Sequence, residues 1–513
     1  MFGTALVQVE KHLREQLKNQ SFSLFSTPIK QLIGDQSFWF ADHGLSEIVT
    51  IDDMLSHRTG LSRHDSMWYL NEWQSKEDLA KHVGRLKTAS EFRGSFVYNN
   101  LVWTIADMAV QRLTNRSFVQ YMREFLWQPL GMTDTHGSSE IKQKQLLDRV
   151  VINQQYKRLE VPLEMSKMER ATRFVEAAGG ILASLPDMSR YMRHLASPKH
   201  SVYEPAPGQF RPLNALAAGV GNALFNPQLY NASVVSDLPD WEIESYGRGW
   251  KRTWYGRHLD FSHGGSLLGV RCELDIFPSQ NLAVFNHMTL EQVDSAPLQV
   301  AYASVINKYI ADLLLRNHSF VTEDNVCEIF NKIPADPRVY KMQRRKLTSD
   351  EVNLLTGRYA NFGFGQVRVH PNETAGSLTL LYGIGKLELI PVSLTAEPEP
   401  YQFFVNLLEP QESSSPGNII ERTADSITVP YAVWANPLSF LTVRRDSVNA
   451  SQLVMQSFVF EQETLLLKGL DPGSWTPPQL CPDPPKSGMK LAASLSAIVA
   501  LAVAGGFSAL AAI

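Results

Sequence analysis

Hydrophobic positions in the first third of the chain recur every three or four residues, the spacing of a helix with one face on a core. Leu6, Val9, Leu13 and Leu17 predict a helix from about Thr4 to Gln20. Thr50, with Asp53 three places on, has the form of a capping box and opens a short helix through Met54 and Leu55, stopped at Gly60. Leu101, Ile105, Ala109 and Leu113 recur at every fourth position, and Met108 widens the stripe, so a helix over 101–114 should present one face to a core. A second helix follows over 118–127, ended by Pro129 and Gly131, and Pro186 with Asp187 opens another through Leu195. The polar, mixed stretch from 136 to 176 predicts an irregular or partly helical lid.

From Tyr246 the period changes to two. Val270, Cys272, Leu274 and Ile276 alternate with Arg271, Glu273 and Asp275, the turn Pro278-Ser279-Gln280-Asn281 follows, and Leu282 to Asn286 returns. This predicts a hairpin in an antiparallel sheet with one buried face, covered by helical sequence from 294 to 315 in an α+β architecture. Beyond Gly357 short alternating runs such as Gln366–His370, Ser377–Tyr382 and Lys386–Pro391 predict a small all-β barrel or sandwich.

A chain of 513 residues is too long for one ordinary core. The boundaries expected are a first domain over 1–335, a basic linker over 336–356 around Tyr340 to Lys346, the β-rich domain over 357–468, a Pro-rich spacer over 469–490, and a hydrophobic segment over 491–513. With 48 basic against 52 acidic residues, no electrostatic footprint for nucleic acid exists. Cys272, Cys327 and Cys481 make neither a disulfide framework nor a Cys-x-x-Cys pair, and no metal or organic cofactor is implied.

Leu491 to Ile513 carries no charge and, at about 1.5 Å per residue, would reach roughly 34 Å, enough for a bilayer core. After Ser487-Gly488 it has the pattern of a glycolipid (GPI) anchor signal, with a transmembrane tail as the rival reading. The expected place is a membrane, at the cell surface or in the secretory pathway. Met1 to Arg14 nevertheless holds no signal peptide, and six Asn-x-Ser/Thr sequons, beginning at Asn19, are no more than a long chain collects by chance.

Candidate chemistry centres on Tyr98-Asn99-Asn100. A phenol and a carboxamide two residues apart just before a helix can point into one cleft, because residues leading into a helix are not yet wound onto its surface. Alone the string is common, and a packed tyrosine beside an Asn cap explains it equally well. Four more strings stand around it in order: Leu55-Ser56-His57-Arg58-Thr59-Gly60-Leu61, Gln128-Pro129-Leu130-Gly131-Met132-Thr133-Asp134-Thr135, Ala178-Gly179-Gly180-Ile181-Leu182-Ala183-Ser184, and His263-Gly264-Gly265.

Together the five strings, over about residues 1–315, resemble the β-lactamase-related serine hydrolases, the family of penicillin-binding proteins, class C β-lactamases, D-aminopeptidases and several esterases. The β-rich part looks like the lipocalin-like domain that some members append. The resemblance implies a serine hydrolase or acyltransferase for a small ester or amide, peptide-like substrate. Tyr98 would be a proton-transfer partner and Asn100 a substrate-positioning amide. His263 would stand where many members carry a strand lysine. Gly264 and Gly265 would let substrate lie close to the strand, and the N–H of Ser266 would be an oxyanion donor. His57 reads as a helix residue bonded to nearby backbone.

The family's Ser-x-x-Lys nucleophile should precede Leu55-Ser56-His57, and nothing there fits: Ser26 and Lys30 are one residue too far apart. Ser139-Glu140-Ile141-Lys142 follows the Tyr98 motif, and Ser487-Gly488-Met489-Lys490 lies in the spacer. Met1 to Val7 resembles the run that follows the lysine, so the expectation is a chain that starts just after its nucleophile. A pseudoenzyme used for binding is the alternative.

Overall fold

The computed structural model describes residues 1–34, 40–70, 73–140 and 172–196, most of 241–315, the strand-forming stretches between 339 and 471, and a few short pieces between them. Helix α1 (Phe2–Gln16) buries Phe2, Leu6, Val9 and Leu13, starting slightly ahead of the expected position. Helix α2 (Ile51–Leu55) has both halves of its capping box: the Thr50 hydroxyl accepts from the Asp53 N–H, and the Asp53 carboxylate accepts from the Thr50 N–H. The expected 118–127 helix is α-helical over Phe118–Met122 and widens into a π turn over Arg123–Trp127.

Helix α3 (Leu101–Thr114) corrects the one-face expectation. Val102, Ala106 and Val110 are buried as fully as Leu101, Ile105 and Ala109, because α1, α2 and their neighbours pack around it. Buried Asp107 is tolerated there through three bonds, from the Tyr121 hydroxyl at 2.6 Å, Lys76 at 2.6 Å and Gln111 at 2.7 Å.

Six strands form one antiparallel sheet: β1 (Leu229–Tyr230), β2 (Trp241–Tyr246), β3 (Lys251–Tyr255), β4 (His258–Leu267), β5 (Val270–Phe277) and β6 (Leu282–Thr289), each paired with its neighbours in sequence. The β5–β6 hairpin pairs as its alternation predicts. One solvated face was expected, and both are covered. Phe261, Leu274 and Ile276 join Tyr191 and Leu195 of helix α4 (Leu185–Ala196) in the main core. Helix α5 (Ala296–Leu315) closes the other face, where Glu273 and Asp275 are 3% and 1% exposed. Alternation was read as polar-out because charge alone does not reveal a buried partner, here Lys308 on α5, which pairs with both Asp260 and Asp275.

Eight further strands close into a barrel: β7 (Gly357–Asn361), β8 (Gly365–Pro371), β9 (Leu378–Tyr382), β10 (Gly385–Ser393), β11 (Tyr401–Glu409), β12 (Phe440–Arg445), β13 (Leu453–Ser457) and β14 (Thr464–Lys468). Each pairs with the next, and β14 returns to β7. Such an up-and-down closure leaves no edge strand in the ring, and eight strands enclose a space that side chains can fill. Tyr359, Val367, Leu380, Tyr382, Phe403 and Leu466 are among those buried there. The turn between β7 and β8 rests on the first part of the chain, with buried Phe364 edge-on to His64 at 6.0 Å.

The basic stretch expected as a linker is ordered. Val339–Arg344 is a strand pairing with β10 and with Ser426–Pro430, and helix α6 (Ser349–Leu355) follows behind a Thr348 capping box. Main-chain pairing recruits a hydrophilic segment as readily as an apolar one. Most of the expected lid, nearly all of the Pro-rich spacer and the whole 491–513 segment lie outside the described residues. Among the described residues no helix is long and apolar enough to cross a membrane.

Candidate active site

The site begins where α2 ends. His57 takes φ +56°, uncommon for any residue with a side chain, and the reversal drives its imidazole under the Tyr98 loop, 0% exposed. His57 thus sits past the helix, although its expected bond to backbone is present. Its carbonyl accepts the Val97 N–H at 3.0 Å and its Nδ1 accepts the Asn99 N–H at 3.0 Å, so one residue grips both flanks of Tyr98. The rings of His57 and Tyr98 lie 4.1 Å apart, centroid to centroid.

The two asparagines divide their tasks. Asn99 is wholly buried: its Oδ1 accepts from the Leu101 N–H at 2.9 Å, starting α3, and its Nδ2 donates to the Ser62 carbonyl at 2.9 Å. Asn100 is half-buried and donates to Asp65 Oδ1 at 3.0 Å. Asp65 also accepts from Trp68 Nε1 at 2.7 Å and Arg63 Nε at 2.9 Å, while the Arg63 guanidinium lies 5.4 Å from the Tyr98 ring centre. The amide expected to orient substrate is therefore engaged with Asp65 in this structure.

Strand β4 brings His263 to the same cleft, with ring centroids of Tyr98 and His263 at 6.3 Å. Nδ1 of His263 lies 2.8 Å from the Gly264 carbonyl, and Nε2 lies 3.0 Å from the hydroxyl of Tyr246 at the end of β2. Phe96 completes the aromatic wall, 4.9 Å from Tyr246. β3 pairs with β4 only over residues 258–262, whereas β5 pairs as far as Leu267. The backbone of His263 to Leu267, including Ser266, thus overhangs β3 with one edge left uncovered by that strand.

Gly264 and Gly265 were expected to admit substrate. The structure gives them a necessity of another kind besides: a Cβ at Gly264 would overlap the Glu273 carboxylate, and one at Gly265 would sit 2.5 Å from Cys272 Sγ. These glycines make room for cross-strand neighbours.

Burial dominates the electrostatics. It holds His263 down to about 4, with Lys251 adding to the effect, and drives His57 well below the ordinary imidazole value. Burial pushes the Tyr98 phenol up to about 12, reinforced by Asp65, and raises Tyr246 as well. At neutral pH two uncharged imidazoles therefore face two protonated phenols.

Sequence reasoning placed Tyr98 and His263 in one cleft but missed Tyr246 and the Arg63–Asp65 pair. Tyr246 had no motif of its own beyond the glycines of the turn that follows it. Ser139 donates its N–H to Glu176 at 2.8 Å, and Lys142 lies outside the described residues.

An antiparallel sheet between helices, with a Tyr-x-Asn loop facing a His-Gly-Gly strand, defines the β-lactamase/transpeptidase-like class. Residues 26–303 match the family described as Beta-lactamase, and the chain belongs to this family of β-lactamase-related serine hydrolases. It is similar to the unguisins hydrolase of Aspergillus violaceofuscus (strain CBS 115571), 25% identical over 276 residues, which cover 51% of this chain and 46% of that protein. A second unguisins hydrolase, from Aspergillus campestris (strain IBT 28561), is 26% identical over 276 residues, 52% of this chain and 47% of the other. The chain spans about half the length of these curated relatives. Among solved structures, the octameric penicillin-binding protein homologue from Pyrococcus abyssi aligns over 91% of this chain and 87% of its own, with 14% identity and a TM-score of 0.46.

Proposed function

We propose that the cleft between Tyr98 and His263 serves acyl transfer, as a serine hydrolase or acyltransferase for a small ester or amide, peptide-like substrate. The observation that carries the reading is the meeting, at 6.3 Å, of a protonated phenol and an uncharged imidazole beside the overhang of β4. Tyr98 would pass the proton between nucleophile and leaving group, and the Ser266 N–H would receive the oxyanion. That two relatives are hydrolases by name favours hydrolysis over transfer.

The reading needs an attacking serine, whose loss in a serine hydrolase costs on the order of 10⁶ in rate. A fluorophosphonate probe on the protein purified from its natural source tests the reading. Labelling of a serine in the natural protein, weakened by Tyr98→Phe, is the expected result; a natural protein that takes no label would sink it.

A non-catalytic binding role is the second reading, favoured by the bond between Asn100 and Asp65 that occupies the substrate-facing amide. We also propose that residues 491–513 attach the protein to a membrane, at the cell surface or within the secretory pathway. The support is their uncharged length. Detergent-phase partitioning that disappears on phospholipase treatment would indicate a lipid anchor, and partitioning unaffected by it a transmembrane tail.

A further inference from the structure

The two imidazoles of the cleft are fixed by the backbone in opposite tautomers. A carbonyl oxygen can only accept, so Nδ1 of His263, 2.8 Å from the Gly264 carbonyl, must carry that ring's hydrogen. Its Nε2 then holds a lone pair, which takes the Tyr246 O–H at 3.0 Å. A backbone N–H can only donate, so Nδ1 of His57, 3.0 Å from the Asn99 nitrogen, is the bare nitrogen of its ring. The hydrogen of His57 sits on Nε2, which is buried and has no partner among the described residues. The Tyr246 ring lies near both, with centroids 5.4 Å from His57 and 6.2 Å from His263.

We propose that Tyr246 is a positioning residue of this cleft: its hydroxyl, given to the bare Nε2 that the Gly264 carbonyl dictates, reinforces the Nδ1–H tautomer and fixes the ring's aim toward Tyr98. Tyr246 suits the task because it is 1% exposed and wedged against Phe96, so its hydroxyl cannot swing to water. A ligand that engages His263 must share or displace that O–H, and it meets a nitrogen that accepts. The lysine that many members carry on this strand would donate instead. The titratable groups facing His263 are Tyr246 from β2, Lys251 from β3, and Tyr98 and His57 from the loops beside α3 and α2. Of these only Tyr246 is hydrogen-bonded to the ring.

Its catalytic meaning rests on the acyl-transfer reading, whereas its structural content does not. Nitrogen-15 spectra of histidine-labelled protein, with His263 assigned through the His263→Gln variant, separate the two. The expected result is an Nδ1-protonated His263 with a hydrogen-bonded, bare Nε2. Tyr246→Phe should move the Nε2 resonance to that of a free imine nitrogen or populate the other tautomer, and Tyr98→Phe should do neither. A His263 carrying hydrogen on Nε2 in the unaltered protein overturns the proposal without any variant, and so does an Nε2 resonance that Tyr246→Phe leaves in place. If the natural protein hydrolyses a substrate, Tyr246→Phe should lower kcat about 10- to 100-fold with KM little changed, the signature of a displaced ring. Failure of probe labelling would end the acyl-transfer reading and leave the spectra to decide this one.

Discussion

The two sides of the six-stranded sheet solve the problem of buried polarity in opposite ways. On the α5 side, Asp260, Glu273 and Asp275 crowd around Lys308, with Asn307 donating to Asp275 at 2.6 Å and Thr253 to Asp260 at 3.1 Å. Burial raises Asp260 and Glu273 above the carboxylate range against the pull of nearby lysines, while burial of Lys308 is outweighed by Asp260 and Asp275, which raise it. One buried cation cannot hold three acids ionised, so protons stay behind. At the cleft end, two imidazoles surrender their charge and lean on phenols and backbone. Ion pairing satisfies one side from within; neutrality leaves the other able to exchange hydrogen bonds with a ligand.

Breaking the charged side should have the largest effect. Lys308→Met strands Asp260 and Asp275 without their cation and should cost about 3–5 kcal/mol in urea unfolding. Wild-type stability in that variant would show that the network contributes nothing. In hydrolysis assays of the natural protein, Tyr98→Phe should lower kcat at least about 100-fold, as expected for loss of a proton-transfer group; an unchanged kcat would remove Tyr98 from the chemistry. Gly265→Ala drives a methyl into Cys272 Sγ and should cost about 1–3 kcal/mol. Cys272→Ala in the same chain should recover most of that loss, and a second change that recovers nothing would place the strain elsewhere.

The smallest effect separates the two sides by pH. Glu273, pushed up to about 8, holds its proton more tightly folded than unfolded. The stability it contributes is present below the ordinary carboxylate pKa and is lost as pH rises toward 8. His263, held down to about 4, behaves in the opposite sense: its contribution is present above the ordinary imidazole value and is lost as pH falls toward 4. Stability should therefore decline from about pH 6.5 to 8. Glu273→Gln should flatten that limb by roughly 1 kcal/mol while leaving the acid limb, which His263→Gln should weaken. Parallel loss of both limbs in either variant would mean that the two sides are not independent.

Much of this was legible in the residues. Periodicity gave α1, α3 and the β5–β6 hairpin, helical sequence gave α5, and start signals gave α2 and α4, because each is a local property. Tyr98 and His263 were found through ordered strings. What the residues could not reveal was contact across the fold. Nothing near Glu273 foretells Lys308, 35 positions on, and nothing near Tyr246 foretells the His263 lone pair. The glycines show the same limit from another angle: their type was recognised as special, while the reason, Glu273 and Cys272 on the next strand, appears only once β4 and β5 are paired.

Because β14 zips back onto β7, the chain leaves the barrel beside the place where it entered, Lys468 opposite Tyr359, and Gly469 still donates to the Arg358 carbonyl at 2.9 Å. Mechanically this makes the barrel a side loop on a through-going thread. Tension applied beyond Leu470 would load the short β7–β14 seam first, while the other seven ladders and the Tyr98–His263 cleft stay slack until that seam opens.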